Sequence, residues 1–182
     1  RFTTFRMDVH IRPGTADDTP LILAFIRELA EYEKLSHEVV ATEEELRRHL
    51  FENHHAEVLI AEAATAGPAG PADAVGNQAP AESAGPEALQ PAGFALFFHN
   101  FSTFLGRPGI YLEDLYVRPG FRGRGIGKQL LRELARLALR RDCGRLEWAV
   151  LDWNAPSIAF YESLGARPRS GWITYRLTGG SL

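Results

Sequence analysis

Val117-Arg118-Pro119-Gly120-Phe121-Arg122-Gly123-Arg124-Gly125-Ile126-Gly127-Lys128 is the stretch on which the reading of this chain turns. The apolar run Ile110–Val117 ends there in a Pro-Gly turn, and three glycines and three cations follow between Arg122 and Lys128. An amphipathic helix then begins. Ile126, Leu130, Leu131, Leu134, Leu137 and Ala138 recur at the three-and-four spacing of one buried face, with Lys128, Arg132, Glu133, Arg136 and Arg140 on the other. A strand, a glycine-rich turn and a helix start aim backbone N–H groups at an anion. The first-turn amides have no internal acceptor, and the helix dipole favours negative charge there. The stretch is read as an anion-binding turn for a phosphorylated cofactor.

Two common phosphate turns fail letter by letter. A P-loop requires a hydroxyl after Gly-Lys, whereas Gly127-Lys128 is followed by Gln129 and preceded five positions earlier by Arg122. A dinucleotide fingerprint requires glycine at the sixth position, where this chain has Lys128 counted from Gly123 and Leu130 counted from Gly125. Arg122-x-x-Gly125-x-Gly127 remains, and by itself it also describes an ordinary glycine-rich helix cap.

The chain's 182 residues fit one domain with a full core, and 45% hydrophobic with 24% charged residues describes an ordinary globular composition. A net charge of −3 argues against a nucleic-acid partner. A single cysteine, Cys143, excludes an internal disulfide framework, fits a reducing cytoplasm and reads as a small buried residue. No apolar run has membrane-spanning length, so no membrane association is expected. The only methionine is Met7, and residues 1–8 are read as an N-terminal extension.

Val9–Pro13 alternates and stops at proline, as a first strand would. Thr15 with Asp18 is a capping-box variant opening a helix to Tyr32-Glu33, with Leu21, Ile22, Phe25, Ile26 and Leu29 on its apolar face. Thr42 with Glu45 opens a second, short helix with Leu46, Leu50 and Phe51 inward. Strands are predicted at Val58–Glu62, Phe94–Phe98, Ile110–Val117 and Leu146–Leu151, with a loop from Asn100 to Gly109 and a closing strand at Ile173–Leu177. Residues 64–91 are so poor in large apolar side chains that they read as a disordered hairpin insertion within the domain. Asn154 is a good N-cap, Pro156 is tolerated in the first turn, and Gly165 ends that helix. Alternating strands and helices give an α/β class with one mixed, mostly antiparallel twisted sheet flanked by helices.

Glu113 and Asp114 are consecutive in an apolar strand and so point to opposite faces. A buried carboxylate there needs a partner. Asp114 reads as structural. Glu113, about ten residues before the turn, reads as the carboxylate that holds a cationic amine and takes its proton, directly or through water. Tyr161 lies two helical turns after Asn154, on the same face, and keeps its proton at neutral pH, so it can protonate a departing thiolate. The six histidines show no metal-ligand spacing, so no metal is expected.

Taken together, Tyr111-Leu112-Glu113-Asp114, Arg122-Gly123-x-Gly125-Ile126-Gly127, Trp153-Asn154-x-Pro156-Ser157 and Phe160-Tyr161-x-x-x-Gly165-Ala166 resemble the GNAT N-acetyltransferases, in particular their diamine/spermidine and thialysine branch. Ile11-Arg12-Pro13 and Glu28-Leu29-Ala30-x-Tyr32-Glu33 extend the resemblance. It implies the GNAT fold in a single domain spanning 1–182, with acetyl-CoA as cofactor and direct transfer to a primary amine of a small cationic substrate. Leu115, Tyr116 and Val117 would line the acetyl and pantetheine groups. Arg122, Gly123, Arg124, Gly125, Ile126, Gly127 and Lys128 would hold the pyrophosphate, and Asn154, Ala155, Pro156 and Ser157 the CoA arm. Tyr161 would be the general acid beside the cofactor. Tyr32, Glu33, Glu113, Glu147, Trp148 and Ala149 would contact the amine. A cytoplasmic homodimer is the state the resemblance implies. Arg167, Arg169 and Ser170 stand where the polyamine enzymes carry acidic residues, a change that disfavours polycations. Two other functions compete, a non-catalytic acyl-CoA sensor and an acetyltransferase for protein N-termini or lysines. Glu113, Asn154 and Tyr161 standing together argue against the first, and Tyr32-Glu33 with Glu113 favours a small cation over the second.

Overall fold

The computed structural model describes residues 9–65 and 88–182. The chain divides into two compact units, Arg1–Trp148 and Ala149–Leu182. The extension at 1–8 and most of the 64–91 insertion therefore lie outside the described residues.

The first unit is a five-stranded open sheet in the order β1-β2-β3-β4-β5. Its strands are β1 (Val9–Pro13), β2 (Glu57–Ala63), β3 (Gln90–Ser102), β4 (Arg107–Val117) and β5 (Leu146–Trp148). The first four pair antiparallel in sequence, and β5 adds parallel to β4, which gives the mixed, mostly antiparallel sheet expected. Two helices, α1 (Thr19–Glu33) and the short α2 (Glu43–Leu46), cover one face. There Ile22, Phe25, Leu29 and Leu50 pack with Val58, Ile60, Phe94, Leu96 and Tyr116. Phe25 stacks on Phe94 with ring centroids 5.2 Å apart and meets Tyr116 edge-on. On the other face lies α3 (Ile126–Arg140), burying Ile126, Leu130, Leu131, Leu134 and Ala138, as its periodicity predicts.

Local signals start these helices where the sequence puts them. The Asp18 carboxylate accepts from the Thr15 backbone N–H at 2.8 Å and from both ends of the Arg12 guanidinium at 2.8 Å, joining β1 to the start of α1. A 3-10 turn, Ala16–Asp18, intervenes before α1 proper. Thr42 and Glu45 form their capping box, and α2 then widens into a π-helical turn, Arg47–Glu52.

Three predicted spans differ. The loop expected at Asn100–Gly109 is only residues 103–106, because β3 continues to Ser102 and β4 starts at Arg107. Gly109 misled the reading. It is a close-approach glycine, since a Cβ there would run into the side chains of Asn100 and Arg145. β5 stops at Trp148, where it pairs with Leu112, one residue before β4 bulges, instead of running to Leu151. Residues 173–177, expected as a strand, form no ladder among the described residues, and an alternating pattern without a partner is not a strand. The second unit holds one helix, α4 (Ala155–Ser163), closed by Gly165 in the left-handed region at φ 88°.

Candidate active site

The turn after β4 is anchored before it begins. Arg118 donates to both carboxylate oxygens of Glu28 at 2.7 and 3.0 Å and to the Pro91 carbonyl at 3.0 Å, and its guanidinium lies 4.7 Å over the Phe25 ring. α1, β3 and the turn are thus tied at one point. A 3-10 turn, Pro119–Phe121, buries Phe121 as a plug. Gly123 and Gly125 then adopt φ of 75° and 78°, which a side chain would strain. The first intrahelical bond of α3 runs from Gln129 N–H to Gly125 C=O at 3.0 Å. The amides of Ile126, Gly127 and Lys128 therefore precede the ladder. No side chain caps this helix, whereas Thr42 caps α2 and Asn154 caps α4. Uncapped amides, left-handed glycines and the cations Arg122, Arg124 and Lys128 together fit a pyrophosphate.

The strand leading to the turn has a matching feature. β5 pairs only with Ile110–Leu112, so among the described residues the edge of β4 from Glu113 to Val117 has a ladder on its β3 side alone. The outward edge at Leu115–Val117 thus runs into the phosphate turn with no covering strand among the described residues.

A β-bulge sets the acidic side of the site. Phe97 pairs with Leu112 and Leu96 with Asp114, which leaves Glu113 as the extra residue. Ladder partners share a face, so the bulge puts Leu112 on the α3 face and Asp114 on the α1 face with Leu96. Without it, Leu112 and Asp114 would share a face. Asp114 is thereby turned toward Glu33 at the end of α1. Burial, then the charges of Glu113 and Glu33, push the Asp114 carboxyl up from 3.8 to about 6. Burial also raises Glu33. Glu113 itself is exposed. The sequence reading took Asp114 for a structural carboxylate. The structure surrounds it with burial and like charges, which hold its carboxyl well above the usual carboxylate range. Two adjacent carboxylates in an apolar strand were the available signal; the bulge that aims one of them was not legible.

Arg122 and Tyr32, expected in separate subsites, are brought together. The Arg122 guanidinium lies 4.9 Å from the Tyr32 ring centroid and 5.6 Å from that of Tyr116, while its Nε donates to Val117 C=O at 2.8 Å. Arg124 lies over Phe121 at 5.3 Å. Glu147, expected at the amine, faces Tyr111 across the β4–β5 ladder, where it accepts from Asn100 Nδ2 at 3.0 Å and pairs with Arg145 at 2.8 Å. Trp148, another amine-contact expectation, is the last residue of β5 and half-buried. The Cys143 thiol is half-buried and pushed up by burial, which leaves it a poor nucleophile.

In the second unit, Ala149 begins the chain segment, and Asn154 Oδ1 accepts from the Ser157 N–H at 3.3 Å, with Ala155 and Pro156 in the first turn. Tyr161 follows on α4, its ring 5.3 Å from Phe160, and its carbonyl receives the Ala166 N–H at 3.2 Å across the Gly165 turn. Among the described residues no group of three or more His, Cys, Asp or Glu side chains can hold a metal, and no helix is long and apolar enough to cross a membrane.

An open, mostly antiparallel sheet whose fourth strand runs into an uncapped, glycine- and arginine-rich helix start defines an anion-binding site. The chain belongs to the acetyltransferase (GNAT) family, whose model matches residues 73–166. It is 38% identical over 176 residues to the thialysine N-epsilon-acetyltransferase of Mus musculus, covering 94% of each chain. It is 35% identical to the L-ornithine N5-acetyltransferase of Arabidopsis thaliana, over 99% of this chain and 89% of the relative. Among solved structures, an integron cassette protein from Vibrio cholerae superposes with a TM-score of 0.68 at 24% identity, over 96% of this chain and 95% of that one. A metagenomic aminoglycoside acetyltransferase does so at 0.68 and 16%, over 93% and 97%. The protein is an amine N-acetyltransferase with the GNAT fold.

Proposed function

We propose that this enzyme moves the acetyl group of acetyl-CoA directly to the side-chain amine of a small cationic amino acid of the thialysine or ornithine type. The observation that carries the reading is the pair of carboxylates Glu33 and Asp114 on the α1 side of β4, with the exposed bulge residue Glu113 beside Asp114, directly upstream of the phosphate turn. A substrate ammonium is attracted there, and it must lose a proton before its nitrogen can attack. Glu113 holds the cation at the rim. Asp114, at about 6, takes the proton, since a base works best with a pKa near the working pH. Tyr161 Oη protonates the departing sulfur, and the proton that the nitrogen sheds as the amide forms passes through solvent to restore the phenol, so the new thiol and the new amide are both neutral groups. Leu115–Val117, Gly123–Lys128 and Asn154–Ser157 hold the cofactor. Tyr32, Glu33, Trp148 and Ala149 shape the amine site, with Glu147 supporting β5.

Arg167 and Arg169 favour an amino acid, which carries a carboxylate, over a polyamine, which carries only positive charge. The test is release of free CoA thiol from acetyl-CoA with thialysine, ornithine, lysine, spermidine and putrescine. Turnover is expected with the first two well above the polyamines. Cofactor binding without turnover of any amine would leave the acyl-CoA sensor and the protein acetyltransferase as the surviving readings. We further propose that the chain acts as one catalytic domain, works as a cytoplasmic homodimer, and has no nucleic-acid or membrane partner. Phe101, Phe104 and Leu105, exposed together near the β3–β4 hairpin turn, support a partner surface.

A further inference from the structure

Arg122 has two claimants. By sequence it belongs to the phosphate turn, three residues before the helix-capping glycine, Gly125. In the structure its guanidinium lies over the faces of Tyr32 and Tyr116, at 4.9 and 5.6 Å, with Nε on the Val117 carbonyl at 2.8 Å. Tyr116 shares a face of β4 with Asp114, and Tyr32 precedes Glu33 at the end of α1, so these rings are where a substrate ammonium would lodge, because a ring quadrupole attracts any cation. The Arg122 guanidinium is such a cation. Its side chain is exposed, so these ring contacts and the one hydrogen bond, with no surrounding core, are what hold it there. A pyrophosphate at the amides of Ile126–Lys128 offers charge-assisted bonds that an exposed ring face cannot match.

We propose that Arg122 is a movable plug: it covers the Tyr32 face of the amine site until a pyrophosphate at the turn draws it away, so that cofactor binding opens the site to the amine. The inference rests on the amine-acetyltransferase reading and adds to it a coupling between two subsites of one unit. Arg122 is then a positioning residue for the amine as well as a ligand of the cofactor. The coupling is reciprocal, so the amine tightens the cofactor by the same factor. Releasing one cation–π contact predicts a factor of roughly three to ten.

The experiment measures thialysine binding by calorimetry, with and without saturating coenzyme A, in the wild-type chain, Arg122→Gln and Arg124→Gln. In the wild type, coenzyme A is expected to tighten thialysine by about three- to tenfold. Arg122→Gln is expected to bind thialysine without coenzyme A as tightly as the wild type does with it. Arg124→Gln removes the same charge from the turn while leaving Arg122 on the Tyr32 ring, and is expected to keep most of the wild-type coupling. Equal thialysine affinity with and without coenzyme A in the wild type overturns the plug. Weaker thialysine binding in cofactor-free Arg122→Gln overturns it too, since Arg122 would then support the amine site. An equal gain in Arg124→Gln reduces the effect to general electrostatics. Those three results leave the functional reading intact. If no amine of the panel binds or turns over in the wild type with cofactor present, the functional reading fails and takes the plug with it.

Discussion

At Asp114 the demands of folding and of chemistry oppose each other. Its carboxyl is pushed from 3.8 to about 6 by burial and by two like charges, so the folded chain binds that proton more tightly than the unfolded chain. Stability therefore falls as pH rises through that window, and the ionised group destabilises the fold at neutral pH by up to about 3 kcal/mol. Asp114→Asn is expected to raise the urea midpoint at pH 7.5, to flatten the loss of stability between about pH 4 and 6, and to abolish most turnover. A variant less stable than the wild type at pH 7.5 would make Asp114 a structural carboxylate after all. In the wild type, kcat/KM should rise with pH through an apparent pKa near 6, and this limb should vanish in the variant. Tyr161→Phe keeps the ring and removes only the proton donor. It should lower kcat on the order of a hundredfold with KM nearly unchanged, and an unchanged kcat removes the role assigned to Oη.

Among the elements, those carried by local chemistry were legible and those fixed by pairing were not. Periodicity placed α3, capping residues placed the starts of α1, α2 and α4, and the Gly123–Gly127 spacing marked the phosphate turn. The ladder decided the rest. Gly106, Pro108 and Gly109 look like loop residues, yet two of them begin β4, because their neighbours across the sheet leave no room for side chains or need no N–H. The bulge at Glu113 has no local signal, and it decides both which carboxylate reaches the α1 face and where β5 ends. Gly93 shows how tightly the site-bearing end of β4 is held: a Cβ there would collide with the Tyr116 carbonyl. Gly93→Ala should displace Tyr116–Val117, cost roughly 1–3 kcal/mol in urea denaturation and weaken coenzyme A binding. A variant as stable as the wild type and with unchanged coenzyme A affinity would show that β4 gives way without moving the turn.

At the scale of the whole molecule, the surface of the first unit is uneven in a way that its own core does not explain. Phe104 is 92% exposed, Phe101 61% and Leu105 54%, all beside the four-residue turn between β3 and β4, and backbone pairing rather than burial holds that hairpin. Isolated exposed apolar residues need no explanation, but three large ones around one tight turn form a patch of the kind that a partner covers. The occupant proposed is a second copy of the chain. Phe104→Ser changes a side chain that makes almost no contact within its own chain, so thermal stability of the isolated subunit should be within about 0.5 kcal/mol of wild type. In sedimentation equilibrium at micromolar concentration the wild type is expected as a dimer, and Phe104→Ser as a dimer weakened by tenfold or more, on the scale of losing one buried aromatic anchor. A wild type that sediments as a monomer throughout would remove the homodimer, and a variant that dimerises as tightly as the wild type would move the interface away from this hairpin.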